Sequence, residues 1–203
     1  MPSVAFEPRI VPDPPVWPQS VVTVVGNPKP GSRTATAAAS VAELLASELG
    51  APFRTDELVD LVTFAPALFQ PADESEAHAA LAGAVDLATS ASVLVLATPV
   101  YKGSYTGLLK SFLDVLPHQA LAGSVVVPVT ISASPAHRLL ADLHLRPVLA
   151  ELGASVPTSP VALEERDLED LQLAVSAWVR SNAGLVQAAT IALQPTAEPT
   201  PAR

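Results

Sequence analysis

At 203 residues the chain is long enough for one well-buried domain and too short for two comfortable ones. Its 20 acidic residues against 11 basic ones leave a net charge of -9, which repels a phosphate backbone and excludes nucleic acid as an expected partner. No cysteine is present, so a disulfide framework, a thiolate nucleophile and a cysteine-held iron–sulfur cluster are excluded, and any redox chemistry must come from a bound cofactor.

Residues 1–20 hold six prolines (Pro2, Pro8, Pro12, Pro14, Pro15 and Pro18), a density that forbids helix and predicts an extended arm, with Phe6 and Trp17 available to pin it to a neighbour. The arm lacks an apolar core behind basic residues, so no secretion signal is read and the expected location is cytoplasmic. Residues 21–26 (V-V-T-V-V-G) form the first strand candidate. A helix over 34–49 follows, with Val41, Leu45 and Leu49 on one stripe, and then a weaker strand over 51–58.

Helical patterns over 74–88, 107–116, 136–152 and 168–188 alternate with strand candidates over 92–98, 124–131 and 154–161. The strong strands are continuously apolar rather than alternating, as strands covered on both faces must be. Strand followed by helix, five times over, predicts an α/β fold: a doubly wound, five-stranded parallel sheet with right-handed crossovers and helices on both faces. The organisation expected is an arm over 1–20, one domain over 21–191, and a disordered tail over 192–203, where Pro195, Pro199 and Pro201 lie among small polar residues. No run approaches the ~18 apolar residues of a membrane span, so no membrane partner is expected.

In such a sheet a ligand sits beyond the carboxyl ends of the strands, where the strand order reverses. The loop after the first strand, G-N-P-K-P-G-S-R-T-A-T (26–36), brings together Gly26 and Gly31, the hydroxyls of Ser32, Thr34 and Thr36, and the cations Lys29 and Arg33, all at a helix N-terminus. That combination makes an anion site. Ser32-Arg33 stands where a triphosphatase needs Lys-Ser/Thr, and G-x-G-x-x-G with an acidic residue ending the next strand is not read. A monophosphate fits. An ordinary polar cap, with Ser32 or Thr34 as N-cap and solvated cations, fits this segment equally well.

The loop after the third strand, T-P-V-Y-K-G-S-Y-T-G-L-L-K-S-F-L-D (98–114), fixes its backbone with Pro99, permits close approach at Gly103 and carries both tyrosines, Tyr101 and Tyr105. Main-chain donors and acceptors there suit the edge of a planar heterocycle such as an isoalloxazine, and Lys102 or a backbone amide suits the charge that develops at the flavin N1–C2 carbonyl on reduction. Taken alone, a strand-to-helix turn with two aromatics at a subunit boundary is as good a reading. Both loops at carboxyl ends of one sheet favour the ligand.

These residues resemble the NADPH-dependent FMN reductase family, in particular its alkanesulfonate-utilisation, two-component type. The first loop is similar to that family's G-S-P-R-x-x-S-R-S-S, and residues 98–114 follow its T-P-V-Y-K-x-x-Y-S-G-x-L-K-x-x-L-D; residues 116–128 and 136–149 continue the likeness. The resemblance implies a flavodoxin-like fold and FMN contacts from Asn27, Lys29, Ser32, Arg33 and Thr34 at the phosphate. It further implies ring contacts from Pro99, Val100, Tyr101, Lys102, Gly103 and Ser104, and a third contact loop of Ser132, Ala133 and Ser134.

The activity implied is hydride transfer from NADPH or NADH to FMN by an NAD(P)H:FMN oxidoreductase, with reduced flavin passed to a partner monooxygenase. A homo-oligomer is implied too, a tetramer built as a dimer of dimers, or a dimer. Two alternatives remain: a tight-FMN quinone, azo or chromate reductase, and a flavodoxin-like binding module without nicotinamide turnover. Asn27 departs from the family's Ser, Lys29 from its Arg, and Ser132-Ala133 from a Gly-Gly pair.

Three smaller expectations complete the reading. The apolar stripe of the 136–152 helix slips phase after Leu143, which predicts a π-bulge near Leu143 or His144, with Pro147 a second possible cause of the irregularity. His78, His118, His137 and His144 lack metal-ligand spacing, so no metal is expected, and His137 reads as a capping or packing residue. Two acidic groups, Asp73, Glu74 and Glu76, and Glu164, Glu165, Asp167, Glu169 and Asp170, read as solvated helix starts.

Overall fold

A computed structural model describes residues 19–71 and 75–194; most of the arm, all of the tail prolines, and Asp73 and Glu74 lie outside the described residues. Five parallel strands, β1 (Gln19–Val25), β2 (Phe53–Asp60), β3 (Val93–Pro99), β4 (Val125–Ser132) and β5 (Val161–Glu164), form one sheet in the order β2-β1-β3-β4-β5. This is the flavodoxin-like order, and it reverses between β1 and β3.

Alternate residues of each central strand feed two cores. Val21 and Val25 of β1, with Val93 and Val95 of β3, face α1 (Arg33–Leu49) and α6 (Leu171–Ala192). Val22, Val24, Leu94 and Leu96 face the other way, toward α3 (Glu76–Thr89), α4 (Gly107–Val115) and α5 (Arg146–Glu151). Burial on both faces accounts for the unbroken apolar runs. Small residues on the inner stripe of α1 (Ala37, Ala38, Ala42, Ala46), all buried, let that helix lie close to the sheet. Among the described residues no helix is long and apolar enough to cross a membrane.

Several boundaries differ from the sequence expectation. β1 begins at Gln19, two residues inside the expected arm, and Gln19 pairs with Phe53. β2 runs on to Asp60, and a 3₁₀ turn (Leu61–Phe64) and a single helical turn, α2 (Ala65–Leu68), follow it unforeseen. The last strand, expected over 154–161, starts only at Val161. Pro157 and Pro160 carry no N–H for a ladder, and among the described residues the stretch before Val161 pairs with the sheet through an isolated bridge from Ser155 to Val125. Helix α6 starts at Leu171 rather than 168, because a 3₁₀ turn (Glu165–Leu168) precedes it, and it continues to Ala192.

The helix expected over 136–152 is broken into a 3₁₀ turn (Pro135–His137), a π turn (Ala141–Leu145) and α5. The Arg146 N–H reaches back five residues to the Ala141 carbonyl, the hydrogen bond that defines a π turn. Pro147 lacks an N–H and cannot close the α-type bond to Leu143, so the carbonyl pattern there is already broken.

Candidate functional site

The switch point between β1 and β3 opens into a cavity of about 400 Å³, within the ~300–1,000 Å³ usual for small-molecule sites. It is lined by Asn27, Lys29, Gly31, Ser32, Arg33, Thr34, Pro99, Val100, Tyr101, Ile131, Ala133 and Glu165. Nine residues singled out from the sequence are thereby brought to one place from three loops: Asn27, Lys29, Ser32, Arg33, Thr34, Pro99, Val100, Tyr101 and Ala133.

At one end the first loop gathers hydroxyls, helix amides and two cations. Ser32 is the N-cap of α1, its hydroxyl oxygen accepting the Ala35 N–H at 3.2 Å. The Arg33 and Thr34 N–H groups that open the helix have no carbonyl behind them to bond. Asn27 braces the loop: its side-chain carbonyl accepts the Lys29 N–H at 3.0 Å and its amide donates to the Thr34 hydroxyl at 2.9 Å. With its oxygen already accepting, the Thr34 hydroxyl keeps its own proton to donate. Ser32 therefore caps the helix and lines the cavity at once.

Asp60 stands behind this loop. Burial pushes its pKa above the usual carboxylate value, outweighing the lowering effect of the nearby Gly31 and Val62 N–H groups. Its Oδ1 is buried with no hydrogen-bond partner. Asp60 ends β2, two residues beyond the strand expected over 51–58, and is not part of the cavity lining.

The other end is the loop after β3. The Tyr101 N–H donates to the Ser104 carbonyl at 2.8 Å and the Ser104 N–H returns to the Tyr101 carbonyl at 3.0 Å, closing a two-residue turn. Lys102 (φ 53°) and Gly103 (φ 75°) occupy its left-handed positions. Tyr101 lines the cavity half exposed, whereas Tyr105 packs against the core beside α4 and its hydroxyl pKa is pushed up, chiefly by burial. Lys102, Gly103 and Ser104 form the turn beyond the lining. Ser104 instead meets His144 of the π turn, Oγ to Nδ1 at 3.3 Å.

In the third loop Ala133 faces the cavity, while Ser132 and Ser134 serve the backbone: the Ser132 hydroxyl donates to the Ser134 carbonyl at 2.9 Å, and the Ser134 hydroxyl accepts the Ala136 N–H at 3.3 Å. His137 lies in the 3₁₀ turn that follows, with Nδ1 buried and unpartnered.

The acidic group at 164–170 is not simply a solvated helix start. Glu164 is only 6% exposed and holds Arg138 at 3.1 Å and Arg166 at 3.2 Å, and Glu165 holds Arg33 at 2.8 Å on the cavity rim. Sequence reasoning missed Glu165 because it ended the last strand at Val161, four residues short of the rim. The usable signal was position, since Glu165 follows the carboxyl end of a strand as both recognised loops do.

The model of the family described as NADPH-dependent FMN reductase matches residues 20–167. This chain belongs to that family. An FMN reductase (NADPH) of Escherichia coli (strain K12) is 51% identical over 61 residues, 30% of this chain and 32% of that protein. The chain thus spans about a third of the length of that relative, and of a Pseudomonas putida one, in the matched segments. An FMN reductase (NADPH) of Pseudomonas aeruginosa is 31% identical over 157 residues, 77% of this chain and 82% of that protein. A solved NADH:FMN oxidoreductase (EMOB), in its apo form, superposes with a TM-score of 0.69 at 32% identity, covering 88% of this chain and 91% of that chain.

Proposed function

We propose that this member of the family is an NAD(P)H:FMN oxidoreductase that supplies reduced flavin to a partner monooxygenase. The observation that carries the reading is the polarity of one cavity: hydroxyls, helix amides and two cations at the α1 end, and the Pro99–Val100–Tyr101 backbone with an apolar floor at the other. That donor set fits FMN, a molecule with an anion at one end and a planar ring at the other. When bound, FMN supplies a two-electron acceptor for the nicotinamide hydride.

In this reading Ser32, Thr34 and the first amides of α1 hold the phosphate, with Lys29 and Arg33 balancing its charge. The ring would be held by Pro99, Val100 and Tyr101, with the backbone of the Lys102–Gly103 turn next to them in the chain. Ala133 and Ile131 close the floor, and Ser132 and Ser134 keep that loop in shape. No side chain is asked to act as nucleophile or base; the protein positions two stacked rings and keeps water out. Leu139 and Leu143, both about two-thirds exposed beside and within the π turn, support a homo-oligomer, a dimer or a dimer of dimers. The nicotinamide supply that the reaction draws on is consistent with a cytoplasmic location.

The test is oxidation of NADPH, then NADH, by the apoprotein under nitrogen with increasing FMN. Oxidation that saturates with added FMN is the expected result. FMN binding with no oxidation of either nicotinamide would reduce the chain to a flavin-binding module, and colour retained through dialysis would point to a tightly held flavin.

A further inference from the structure

Among the described residues that line the cavity Arg33 carries the one guanidinium, and Glu165 already holds it, Nη2 to Oε1 at 2.8 Å. Glu165 is not there as a loose surface side chain. Its backbone opens a 3₁₀ turn (Glu165–Leu168) locked by its neighbours: the Asp167 carboxylate accepts the Glu164 N–H at 2.8 Å, and the buried Glu164 carboxylate is tied to Arg138 and Arg166. The turn fixes a carboxylate on the rim of a cavity whose α1 end otherwise carries hydroxyls, helix amides and cations. A carboxylate and a phosphate in the same neighbourhood repel, and they compete for the same guanidinium.

We propose that Glu165 weakens flavin mononucleotide binding on purpose of release, by competing with the phosphate for Arg33, so that the flavin exchanges as a substrate rather than staying as a fixed group. This rests on the FMN reading above. Because both side chains are more than half exposed, 67% and 53%, water and salt screen the effect and it is moderate. The competition acts on the phosphate alone, so a flavin without phosphate does not feel it.

The experiment measures Kd for FMN and for riboflavin, at low and high salt, with wild type, Glu165→Gln, Arg33→Gln and the double variant, each checked for an unchanged melting curve. Glu165→Gln is expected to tighten FMN by about three- to fivefold at low salt, the scale of one exposed ion pair, and to leave riboflavin unchanged. In the Arg33→Gln background the gain shrinks. Equal or weaker FMN binding by Glu165→Gln overturns the proposal while leaving the FMN reading intact. So does a gain that persists in full without Arg33, or one shared by riboflavin. A wild-type protein that binds neither flavin overturns both.

Discussion

The Thr106 hydroxyl donates to the Gly26 carbonyl at 2.5 Å and accepts the Leu109 N–H at 3.1 Å, so one buried side chain caps α4 and ties the loop after β3 to the end of β1. Its own N–H is taken by the Thr98 hydroxyl at 3.2 Å. Thr106 thus adds a side-chain tie between the two halves of the cavity, beside the backbone bond from the Gly26 N–H to the Ala97 carbonyl at 2.8 Å. Thr106→Val removes the cap and leaves the Gly26 carbonyl and Leu109 amide unpaired, at a cost of about 2 kcal/mol. The expected outcome in a thermal melt is a fall in Tm of roughly 5 °C together with weaker FMN binding, while Thr106→Ser keeps most of both.

Gly26 is constrained by space rather than by backbone angle. A Cβ there would lie 2.5 Å from the Leu109 Cβ, a contact with no flexible end to move away. Gly31 is the reverse case: φ is +58° and nothing stands within 4 Å of an added Cβ. Gly26→Ala should therefore cost more than Gly31→Ala in urea unfolding, about 3 kcal/mol against about 1. Equal costs would mean that α4 is free to shift.

Ser32 allows stability and binding to be separated. Asp is as good an N-cap as Ser and its charge favours the helix N-terminus, so Ser32→Asp should melt within about 2 °C of wild type. The same charge faces any phosphate in the cradle. FMN affinity is expected to fall at least about tenfold, a change of about 1.4 kcal/mol, with riboflavin much less affected. If FMN and riboflavin lose affinity alike, the phosphate is not at Ser32.

The architecture was legible because burial on both faces writes itself as continuous apolar strands, and because the residues of the two loops do two jobs each: Ser32 both caps and lines, and Pro99 both ends the strand and lines. What was not legible depends on partners far along the chain. The shift of β5 to Val161 follows from Pro157 and Pro160, whose effect on a ladder outweighs the β-rich composition of 154–161. Glu164 and Glu165 look alike in sequence, yet one is buried between two arginines and the other reaches Arg33, 132 positions away. The phase slip after Leu143 was a true signal, since the π turn lies at Ala141–Leu145. What it joins, Ser104 through His144, has no local signature.

Arg146 holds the broken helix to the stretch before β5. Its guanidinium donates twice to Asp142 Oδ1, at 2.9 and 2.6 Å, and to the carbonyls of Val156 at 2.6 Å and Thr158 at 2.9 Å. Arg146→Lys keeps the charge but cannot span those acceptors, leaving two carbonyls short of a donor. A loss of about 2 kcal/mol is expected in chemical denaturation. A loss below about 0.5 kcal/mol would put this group with ordinary surface ion pairs.

Asp60 gives the protein a pH dependence whose sign is fixed by burial. Its pKa is raised in the folded chain, first by desolvation, so the folded state holds a proton at pH values where the unfolded chain, with a carboxylate pKa of about 4, has released it. Stability therefore falls as pH rises through the window between those two values and is level above it. Asp60→Asn removes this titration and keeps a side-chain oxygen near the Gly31 and Val62 N–H groups. The advantage of wild type over Asp60→Asn in melting temperature should then be greatest near pH 4, shrink as pH rises, and reach its minimum by neutral pH. Thermal melts of both proteins across that range check it. A difference that grows with pH would mean that the two backbone donors outweigh desolvation, and that Asp60 supports the Gly31 loop as a stabilised anion.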